Sequence, residues 1–298
     1  MRFGISGASG KLGRITAEAL MAAVTPEDII LTTRTPEALS YLASRGATVR
    51  FADFDQPDGL GAAFEGVDRL FMVSASNGTG QRENQHAGAI EAATRVGVQH
   101  IIFPSMPNVD DVTHPVGLAA REYLEAEKAV QQSGVDWTVL RDGPYAELHV
   151  VERFAPVLPE GRVFMNCGLG EVGFVSRADV AAAAVAVLLS DAGSHAGSIY
   201  NISGPELLTY PDAAGLVAAV TGREFEYVEV DDADFAGRLA ASGVPDLMVD
   251  ALTGMGKAIR EGYFAVQTGD AQLLTGKAPS SLREILENNR GVFDENLS

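Results

Sequence analysis

The stretch that decides the fold is Gly7-Ala8-Ser9-Gly10-Lys11-Leu12-Gly13. It follows residues 2–6, a short apolar run with the composition of a strand, and precedes residues 14–21, whose apolar side chains recur at helical spacing. A glycine-rich turn between a strand and a helix is typical of a loop that binds the pyrophosphate of a dinucleotide. The alternative is a turn that is rich in glycine and binds nothing.

The three glycines of this stretch have different predicted tasks. Gly7 suits a tight turn, Gly10 lets the backbone approach a pyrophosphate, and Gly13 lets the helix pack closely against the strand. The N–H groups that open the helix point at the phosphates, and the helix dipole favours their negative charge. The sequence therefore predicts a nucleotide site at this turn.

The charge balance narrows the classes of partner. The 298 residues include 22 Lys and Arg against 40 Asp and Glu, a formal net charge of −18 at pH 7. Because no basic stripe accompanies this excess of acid, we expect neither a nucleic acid nor a membrane as partner. We expect a monomer or a homodimer that acts on a small-molecule substrate.

Cysteine use and hydropathy bear on the compartment. Cys167 is the single cysteine, so no internal disulfide can form. The sequence has neither a signal-peptide pattern at its start nor an apolar run long enough to span a membrane. We therefore expect a cytoplasmic protein.

Strands and helices alternate through the first half of the chain. Strands that are apolar throughout and separated by helices indicate a parallel sheet covered on both faces. The sequence therefore predicts the α/β class, with a doubly wound parallel Rossmann sheet. The predicted strands are residues 2–6, 29–33, 48–52, 69–73, 100–103 and 137–140, and the predicted helices between them are 14–21, 36–44, 60–64, 82–96 and 118–133.

This rhythm changes after about residue 143. Prolines interrupt the segment that follows, an alanine-rich helix is predicted over 177–189, and a further strand over 198–202. Residues 206–298 predict several short helices and one strand, 224–230. We interpret residues 1–143 as a dinucleotide-binding domain to which residues 172–203 return. Residues 144–298 are then a smaller, interleaved α+β substrate lobe on the C-terminal side.

Arg34 follows the second predicted strand, at the edge where open α/β sheets bind ligands. NAD-dependent proteins of this fold usually carry an acidic residue there, whereas this chain has Thr32, Thr33 and Arg34, with no carboxylate before Glu37. A planar guanidinium suits a bidentate hold on a 2′-phosphate. The sequence therefore favours NADP(H); the alternative is a solvated surface arginine.

Two further strand ends offer cofactor contacts. Asp53 and Phe54 follow the third strand and could meet the adenine, although Asp53 could equally be a turn residue that caps the next helix. Ser74, Ala75 and Ser76 follow the fourth strand and are small enough to let the cofactor backbone pass closely.

These features, together with several later motifs, resemble the NmrA-like atypical short-chain dehydrogenases. The G-x-x-G-x-x-G spacing is the short-chain dehydrogenase variant, and the resemblance extends over nearly the whole chain. It is most pronounced with the bacterial NADPH-dependent quinone oxidoreductase branch, which includes triphenylmethane reductase. The other segments that carry it are 33–36 (TRTP), 49–54 (VRFADF), 81–86 (QRENQH), 125–128 (EAEK), 140–145 (LRDGPY) and 176–179 (SRAD).

The resemblance implies an NADP(H)-dependent reductase and a set of site residues. Ser105 ends the fifth strand where related enzymes keep a hydroxyl. Asp142 stands where the family has Asn, and Pro144 replaces a bulky aromatic residue. Both positions lie where the nicotinamide and the substrate should bind, so the identity of the substrate is the family property that carries over least to this chain. The residues implied to line NADPH are Gly7, Ala8, Ser9, Gly10, Lys11, Leu12, Gly13, Arg34, Ser74, Ala75, Ser76, Lys128, Gly143, Pro144 and Tyr145.

The helix that contains Lys128 lacks the usual Tyr-x-x-x-Lys dyad of short-chain dehydrogenases. The dyad places its two residues four apart on one helix face, and Leu124 occupies that position here. Tyr123 is five residues before Lys128, about 140° away around the axis at ~3.6 residues per turn. It therefore cannot take the dyad tyrosine's place.

Lys128 and Tyr145 are nevertheless the predicted catalytic residues. Lys128 can hold the nicotinamide ribose and lend positive charge; the alternative is a solvated lysine paired with Glu125 or Glu127. Tyr145 is the candidate proton donor, with a packing role as its alternative. His86 is a further candidate contact, with a structural role as its alternative.

The missing dyad narrows the predicted chemistry. A simple ketone needs a proton as its alkoxide forms, whereas a quinone delocalises the incoming charge and can take protons from water. We therefore predict hydride transfer from NADPH to a quinone or another conjugated or aromatic acceptor. The alternatives are a non-catalytic NADP(H)-sensing regulator and a reductase of plant-derived aromatic ethers or carbonyls. The histidines and Cys167 show no metal-site spacing, so no metal is predicted.

Overall fold

The computed structural model describes residues 1–73 and 81–296. Within these ranges the strands are β1 (Phe3–Ile5), β2 (Ile29–Thr33), β3 (Thr48–Phe51), β4 (Arg69–Phe71), β5 (His100–Ser105), β6 (Asp136–Asp142), β7 (Arg162–Met165), β8 (Glu171–Val172), β9 (Ser198–Ile202), β10 (Leu208–Thr209) and β11 (Glu226–Glu229).

The α-helices of the same ranges are α1 (Lys11–Ala23), α2 (Ser40–Ala43), α3 (Leu60–Phe64), α4 (Arg82–Arg95), α5 (Leu118–Gln131), α6 (Glu152–Phe154), α7 (Arg177–Leu189), α8 (Tyr210–Thr221), α9 (Asp232–Ala241), α10 (Asp246–Arg260), α11 (Asp270–Thr275), α12 (Leu282–Asn288) and α13 (Arg290–Glu295). Short 3₁₀ turns precede β2, α2, α3 and β7, and a π-helical turn spans Glu147–Val151.

In the described part of the chain, seven strands form the central sheet in the order β3-β2-β1-β4-β5-β6-β9. The pairs from β3 through to β6 are all parallel, with Phe3 in register with both Ile29 and Arg69. This order is that of the doubly wound dinucleotide-binding sheet, so the predicted Rossmann fold is confirmed. The strand β2 is buried along its whole length, which accounts for its run of apolar residues and threonines.

The chain folds into two compact units. The first unit comprises Met1–Ser105, Glu122–Arg141 and Arg177–Tyr200, and the second comprises Met106–Arg121, Asp142–Ser176 and Asn201–Ser298. The predicted division into residues 1–143 and 144–298, with 172–203 returning to the first, stays a prediction.

The first unit has an apolar core, and the arginine Arg69 of β4 is buried in the same unit. Phe64, Leu70 and Ile101 belong to this core and are fully buried. Arg69 is 4% exposed, and its guanidinium donates to the carbonyl oxygens of Leu188 (2.8 Å) and Ser190 (2.6 Å). These bonds satisfy carbonyls at the C-terminus of α7, where a cation also complements the helix dipole.

The second unit has an apolar core of its own. Phe154, Tyr210 and Phe225 pack there, with the Phe154 ring 5.3 Å from Phe225 and 6.2 Å from Tyr210 between centroids. Its strands β7 and β11 pair in parallel, and β8 and β10 pair antiparallel. The strands β7, β8 and β10 were not predicted: β8 and β10 have only two residues each, too few to show alternation, and β7 follows the segment that prolines interrupt.

The turn between β1 and α1 requires glycine at two positions. Gly7 has a φ of +59°, in the left-handed region. A Cβ at Gly13 would lie 2.3 Å from the carbonyl oxygen of Gly7 and 2.8 Å from the Ala8 Cα. The start of α1 can therefore approach the turn only because residue 13 has no side chain, as the sequence predicted. In the described residues, no helix combines the length and the hydropathy that crossing a membrane requires.

Candidate active site

The N-terminus of α1 presents uncapped backbone donors beside the glycine turn. Gly10 is its N-cap residue and supplies no side-chain hydrogen bond, and the first turn contains no acidic residue. The first N–H groups of a helix have no partner within the helix, so they are available to an anion. A Cβ at Gly10 would lie 3.2 Å from the Gly7 carbonyl oxygen, so a side chain would crowd this cradle. These features fit a pyrophosphate.

Backbone hydrogen bonds hold this turn against the sheet. The Ala8 N–H donates to the Thr32 carbonyl oxygen at 3.0 Å, and the Gly10 N–H donates to the Gly7 carbonyl oxygen at 2.9 Å. Gly7, Gly10 and Lys11 are exposed, whereas Ala8, Leu12 and Gly13 are buried. The predicted cofactor residues of this stretch thus divide into an open face and a face that packs on the sheet.

Three hydroxyl groups meet at the carboxyl end of β2. The Ser9 and Thr33 oxygens are 2.5 Å apart, and the Thr35 hydroxyl donates to Ser9 Oγ at 3.1 Å. The Thr35 N–H also donates to Thr33 Oγ1 at 3.1 Å, which fixes the turn that contains Arg34. Arg34 is exposed within this turn. Ser9, Thr33, Thr35 and Arg34 thus offer hydroxyls and a guanidinium, a donor set suited to a phosphate.

The Asp53 carboxylate forms hydrogen bonds within the turn that follows β3, as expected for the turn role that was the alternative to an adenine contact. Its Oδ1 accepts from the Asp55 N–H at 3.1 Å, and its Oδ2 accepts from Gln56 Nε2 at 3.2 Å. Phe54 is half-buried against the first unit's core. A cavity of about 340 Å³ lies beside the end of β3, lined by residues 51–53 and 55–59. The contact of Asp53 and Phe54 with adenine stays a prediction.

Buried hydroxyls without hydrogen-bond partners mark other strand ends of the first unit. Ser6 follows β1, Thr32 lies in β2 and Ser105 ends β5, and each is buried. In the part of the chain that the structure describes, none of their hydroxyl oxygens has a partner. Orphaned polar groups of this kind are costly unless a ligand or water satisfies them. Ser74, Ala75 and Ser76 lie outside the described residues.

Lys128 lies on α5 in an exposed ion pair. Its Nζ is 2.8 Å from Glu125 Oε1, and its side chain is 47% exposed. Glu127, by contrast, accepts two hydrogen bonds from Arg141, at 3.0 and 2.9 Å. The pairing with Glu125 is the alternative considered for Lys128, and an exposed pair of this kind is weak enough to exchange partners.

Tyr123 of α5 and His86 of α4 both pack against other side chains of the first unit. Tyr123 packs against the first unit's core, with the Arg82 guanidinium 5.6 Å from its ring centroid. His86 is fully buried, with its ring 5.2 Å edge-on from that of Phe103. Burial, and then the positive charge of Arg82, lower the pKa of His86 to about 4, so this imidazole is neutral at physiological pH.

Residues 143–145 belong to the second unit and are fixed by their backbone. A Cβ at Gly143 would lie 2.3 Å from the Gly173 carbonyl oxygen, and the Gly143 N–H donates to Ile202 O at 2.8 Å. Pro144 is buried, and its carbonyl oxygen accepts from the Val175 N–H at 3.1 Å. Tyr145 is half-buried directly after this anchored pair.

Asp142 is a further functional candidate, which was noted as a departure from the family's Asn but was not predicted as a site residue. It is the last residue of β6, is only 5% exposed, and its Oδ2 accepts from the Tyr145 hydroxyl at 2.7 Å. In the described part of the chain, its Oδ1 has no partner. Burial raises the pKa of Asp142 well above the ordinary range, while the Tyr145 hydrogen bond lowers it by less. The available signal was a carboxylate that ends an apolar strand three residues before a tyrosine.

The structure thus gathers the predicted residues in two groups, one in each unit. The glycine turn, the β2 hydroxyls, Arg34 and Ser105 lie at the carboxyl ends of strands in the first unit, and Asp142 and Tyr145 are hydrogen-bonded in the second. In the residues that the structure describes, no three His, Cys, Asp or Glu side chains are grouped as metal ligands.

Comparison with known proteins identifies the family. The sequence profile of the NAD(P)H-binding family matches residues 7–191, more than half of the chain. The chain belongs to this family. Quinone oxidoreductase 2 of Escherichia coli is 35% identical over 281 residues, which cover 94% of this chain and 96% of that protein. An NmrA-like family domain-containing oxidoreductase of Aspergillus flavus is 26% identical over 97% of this chain and 96% of that protein.

Two solved structures match nearly all of the chain. The E. coli NADPH-dependent quinone oxidoreductase, complexed with NADPH, matches with a TM-score of 0.88 and 34% identity, over 96% of this chain and 99% of that one. The Citrobacter sp. triphenylmethane reductase, complexed with NADP(H), matches with a TM-score of 0.87 and 28% identity, over 97% and 100%. The predicted resemblance, the nicotinamide dinucleotide cofactor and the oxidoreductase class are thereby confirmed, and the individual site residues stay predictions.

The buried carboxyl predicts a stability that depends on pH. An unfolded aspartate ionises near pH ~3.9, whereas folded Asp142 keeps its proton to a higher pH. Between these two pKa values the folded chain binds the extra proton, so wild-type stability falls by about 1.4 kcal/mol per pH unit as pH rises. Asp142→Asn removes this loss, so the variant should gain stability relative to wild type as pH increases.

Urea unfolding of wild type and Asp142→Asn between about pH 5 and pH 8 measures this difference. The exposed Asp250 provides the control, since Asp250→Asn should differ from wild type by an amount independent of pH. A pH-independent difference for Asp142→Asn as well would mean that the folded carboxyl is ionised over this range.

Proposed function

We propose that the chain transfers a hydride from NADPH to a quinone or a similarly conjugated acceptor, without a Tyr-x-x-x-Lys dyad. The observation that carries the cofactor part is the end of β2, where Arg34 and three hydroxyls adjoin the uncapped start of α1. A 2′-phosphate matches this donor set, whereas the ribose diol of NADH would call for a carboxylate acceptor.

The acceptor class rests on two supports. The relatives that match nearly the whole chain include a quinone oxidoreductase and a triphenylmethane reductase, which are named for conjugated substrates. The helix α5 carries Leu124 four residues before Lys128, so the phenol that protonates a simple alkoxide in dyad enzymes is missing from that position. A conjugated acceptor spreads the incoming negative charge and depends less on such a donor.

The residues of the chain divide the work of binding and reaction. The first N–H groups of α1 bind the pyrophosphate, and Arg34 binds the 2′-phosphate. Lys128 exchanges Glu125 for the nicotinamide ribose and lends positive charge near the reacting ring. Tyr145, held after the anchored Gly143 and Pro144, gives a proton to the reduced acceptor. NADPH supplies the hydride when bound.

A regulator that binds NADP(H) without turning it over is the competing function. The ion pair of Lys128 with Glu125 favours it, because that contact accounts for the lysine without a catalytic role. A panel of quinone, azo and enone acceptors separates the two. We expect the purified protein to oxidise NADPH with at least one quinone, monitored by NADPH absorbance. Tight NADPH binding with no oxidation by any acceptor would mean that the chain is a sensor.

Arg34→Ala should weaken NADPH binding and leave NADH binding nearly unchanged. Hydrogen bonds to a charged group contribute about 1.5–3 kcal/mol, so the dissociation constant for NADPH should rise roughly 10- to 100-fold. Fluorescence titration with both cofactors measures the ratio. Arg45→Ala, at another exposed arginine of the first unit, should leave the ratio unchanged. Equal losses for NADPH and NADH in Arg34→Ala would assign Arg34 no part in reading the phosphate.

Lys128→Ala should reduce turnover without reducing stability. Exposed ion pairs contribute only about 0–1 kcal/mol, whereas loss of a charged contact near the reacting ring should lower kcat/KM roughly tenfold or more. Lys257→Ala is the matched control, since Lys257 is 52% exposed and forms a comparable helical pair with Glu261. Steady-state kinetics and urea unfolding of both variants test this. Unchanged kinetics in Lys128→Ala would leave the lysine a surface role only.

A further inference from the structure

The second unit contains a buried carboxyl group, Asp142, beside which the described residues place a phenol and no cation. Asp142 is 5% exposed, and in the described part of the chain the Tyr145 hydroxyl is its sole hydrogen-bond partner, at 2.7 Å. Its other oxygen, Oδ1, is shielded from water and has no partner among the described residues. A buried carboxylate would need a cation or several donors, so this environment suits the neutral acid.

The charged and titratable groups nearby along the chain have their own partners. Arg141 precedes Asp142 and binds Glu127 through two hydrogen bonds. His149 lies one helical turn after Tyr145, with Nδ1 3.3 Å from the buried hydroxyl of Tyr210. Neither residue contributes to the pKa of Asp142, which burial raises and only the Tyr145 hydrogen bond opposes. The acid therefore keeps its proton at a pH where an ordinary aspartate has lost it.

Tyr145 connects the buried Asp142 carboxyl with a more exposed position. Its ring is half-buried whereas the Asp142 carboxyl is buried, and the two oxygens are within hydrogen-bond distance. Gly143, where a Cβ would overlap Gly173, and Pro144, whose carbonyl accepts from Val175, hold the short segment between them. The phenol O–H donates to Oδ2, so the neutral acid carries its proton on Oδ1. Once the phenol has given up its own proton, rotation of the carboxyl about its Cβ–Cγ bond brings the Asp142 O–H to the phenolate oxygen without movement of the backbone.

We infer that Asp142 is a proton reservoir that reprotonates Tyr145 during acceptor reduction, an inference that rests on the proposed function. Bound NADPH would supply two electrons to the acceptor as hydride and would be oxidised to NADP⁺. The Tyr145 O–H bond breaks and its proton forms an O–H bond on the reduced acceptor. The Asp142 O–H bond then breaks to restore the phenol, and the resulting carboxylate regains a proton from water after product release. Asp142 is thus a positioning residue that acts through Tyr145.

The decisive variant is Asp142→Asn, which keeps the size of the side chain and an oxygen that accepts from Tyr145 but has no acidic proton. We expect kcat to fall roughly 10- to 100-fold, at or below the lower end of the ~10²–10⁴-fold that general acid catalysis contributes, because a conjugated acceptor depends less on a proton donor. NADPH affinity should stay within about twofold of wild type. Wild-type kcat should decrease with pH once the carboxyl ionises, and Asp142→Asn should lose that limb. A purely structural role for Asp142 would leave the limb in place.

Tyr145→Phe and the double variant Asp142→Asn/Tyr145→Phe test whether the two residues act as one unit. Each single variant should show a similar loss, and the double variant should lose no more than Tyr145→Phe alone. The loss should grow with the basicity of the reduced acceptor, from electron-poor to electron-rich quinones. Asp250→Asn, at an exposed aspartate, is the control and should match wild type.

The outcomes separate this inference from the proposed function. If wild type reduces quinones but Asp142→Asn keeps both its kcat and its pH limb, the reservoir is wrong and the reductase stands. Additive losses in the double variant would likewise overturn the relay. If none of the acceptors tested supports NADPH oxidation by the wild-type protein, the proposed function is wrong, and the inference about Asp142 is wrong with it.

Discussion

The contact between Gly13 and the Gly7 carbonyl is the constraint on which the first unit depends. A single Cβ at residue 13 would overlap that oxygen, so α1 can start beside the turn only with glycine there. This close start directs the uncapped N–H groups of α1 to the carboxyl edge of the sheet, where Ser9 joins Thr33 and Thr35. Steric fit at one glycine thus determines where an anion can bind.

Electrostatics explain why a chain with a net charge of −18 can still accept an anionic cofactor. The first turn of α1 contains no acidic residue, and Arg34 stands where related folds place a carboxylate. The field is therefore favourable locally, within about one Debye length of ~8 Å, although the protein as a whole is acidic. Selectivity for a phosphate follows from the arrangement of a few donors and not from overall charge.

Most of the fold, including the position of the glycine turn between β1 and α1, could be predicted from the sequence, for physical reasons. The parallel strands are apolar throughout and Gly13 lies at a fixed place in a strand–turn–helix unit, so local pattern suffices. Strands β8 and β10 were missed because two residues show no alternation. The turn contacts of Asp53 with Asp55 and Gln56 are local, and the sequence had offered them as an alternative. The burial of Asp142, in contrast, depends on how distant segments pack, which no local pattern contains.

Electrostatics also explain why the buried Asp142 carboxyl keeps its proton. An ionised carboxylate at Asp142 would be desolvated with one hydrogen bond, which costs more than keeping the proton. The end of β6 therefore carries a neutral carboxylic acid whose proton can be transferred. The neighbouring Tyr145 phenol is more exposed than this acid. The burial of the Asp142 carboxyl therefore has two consequences. It lowers the stability of the folded chain as pH rises, and it keeps a proton that Tyr145 can receive.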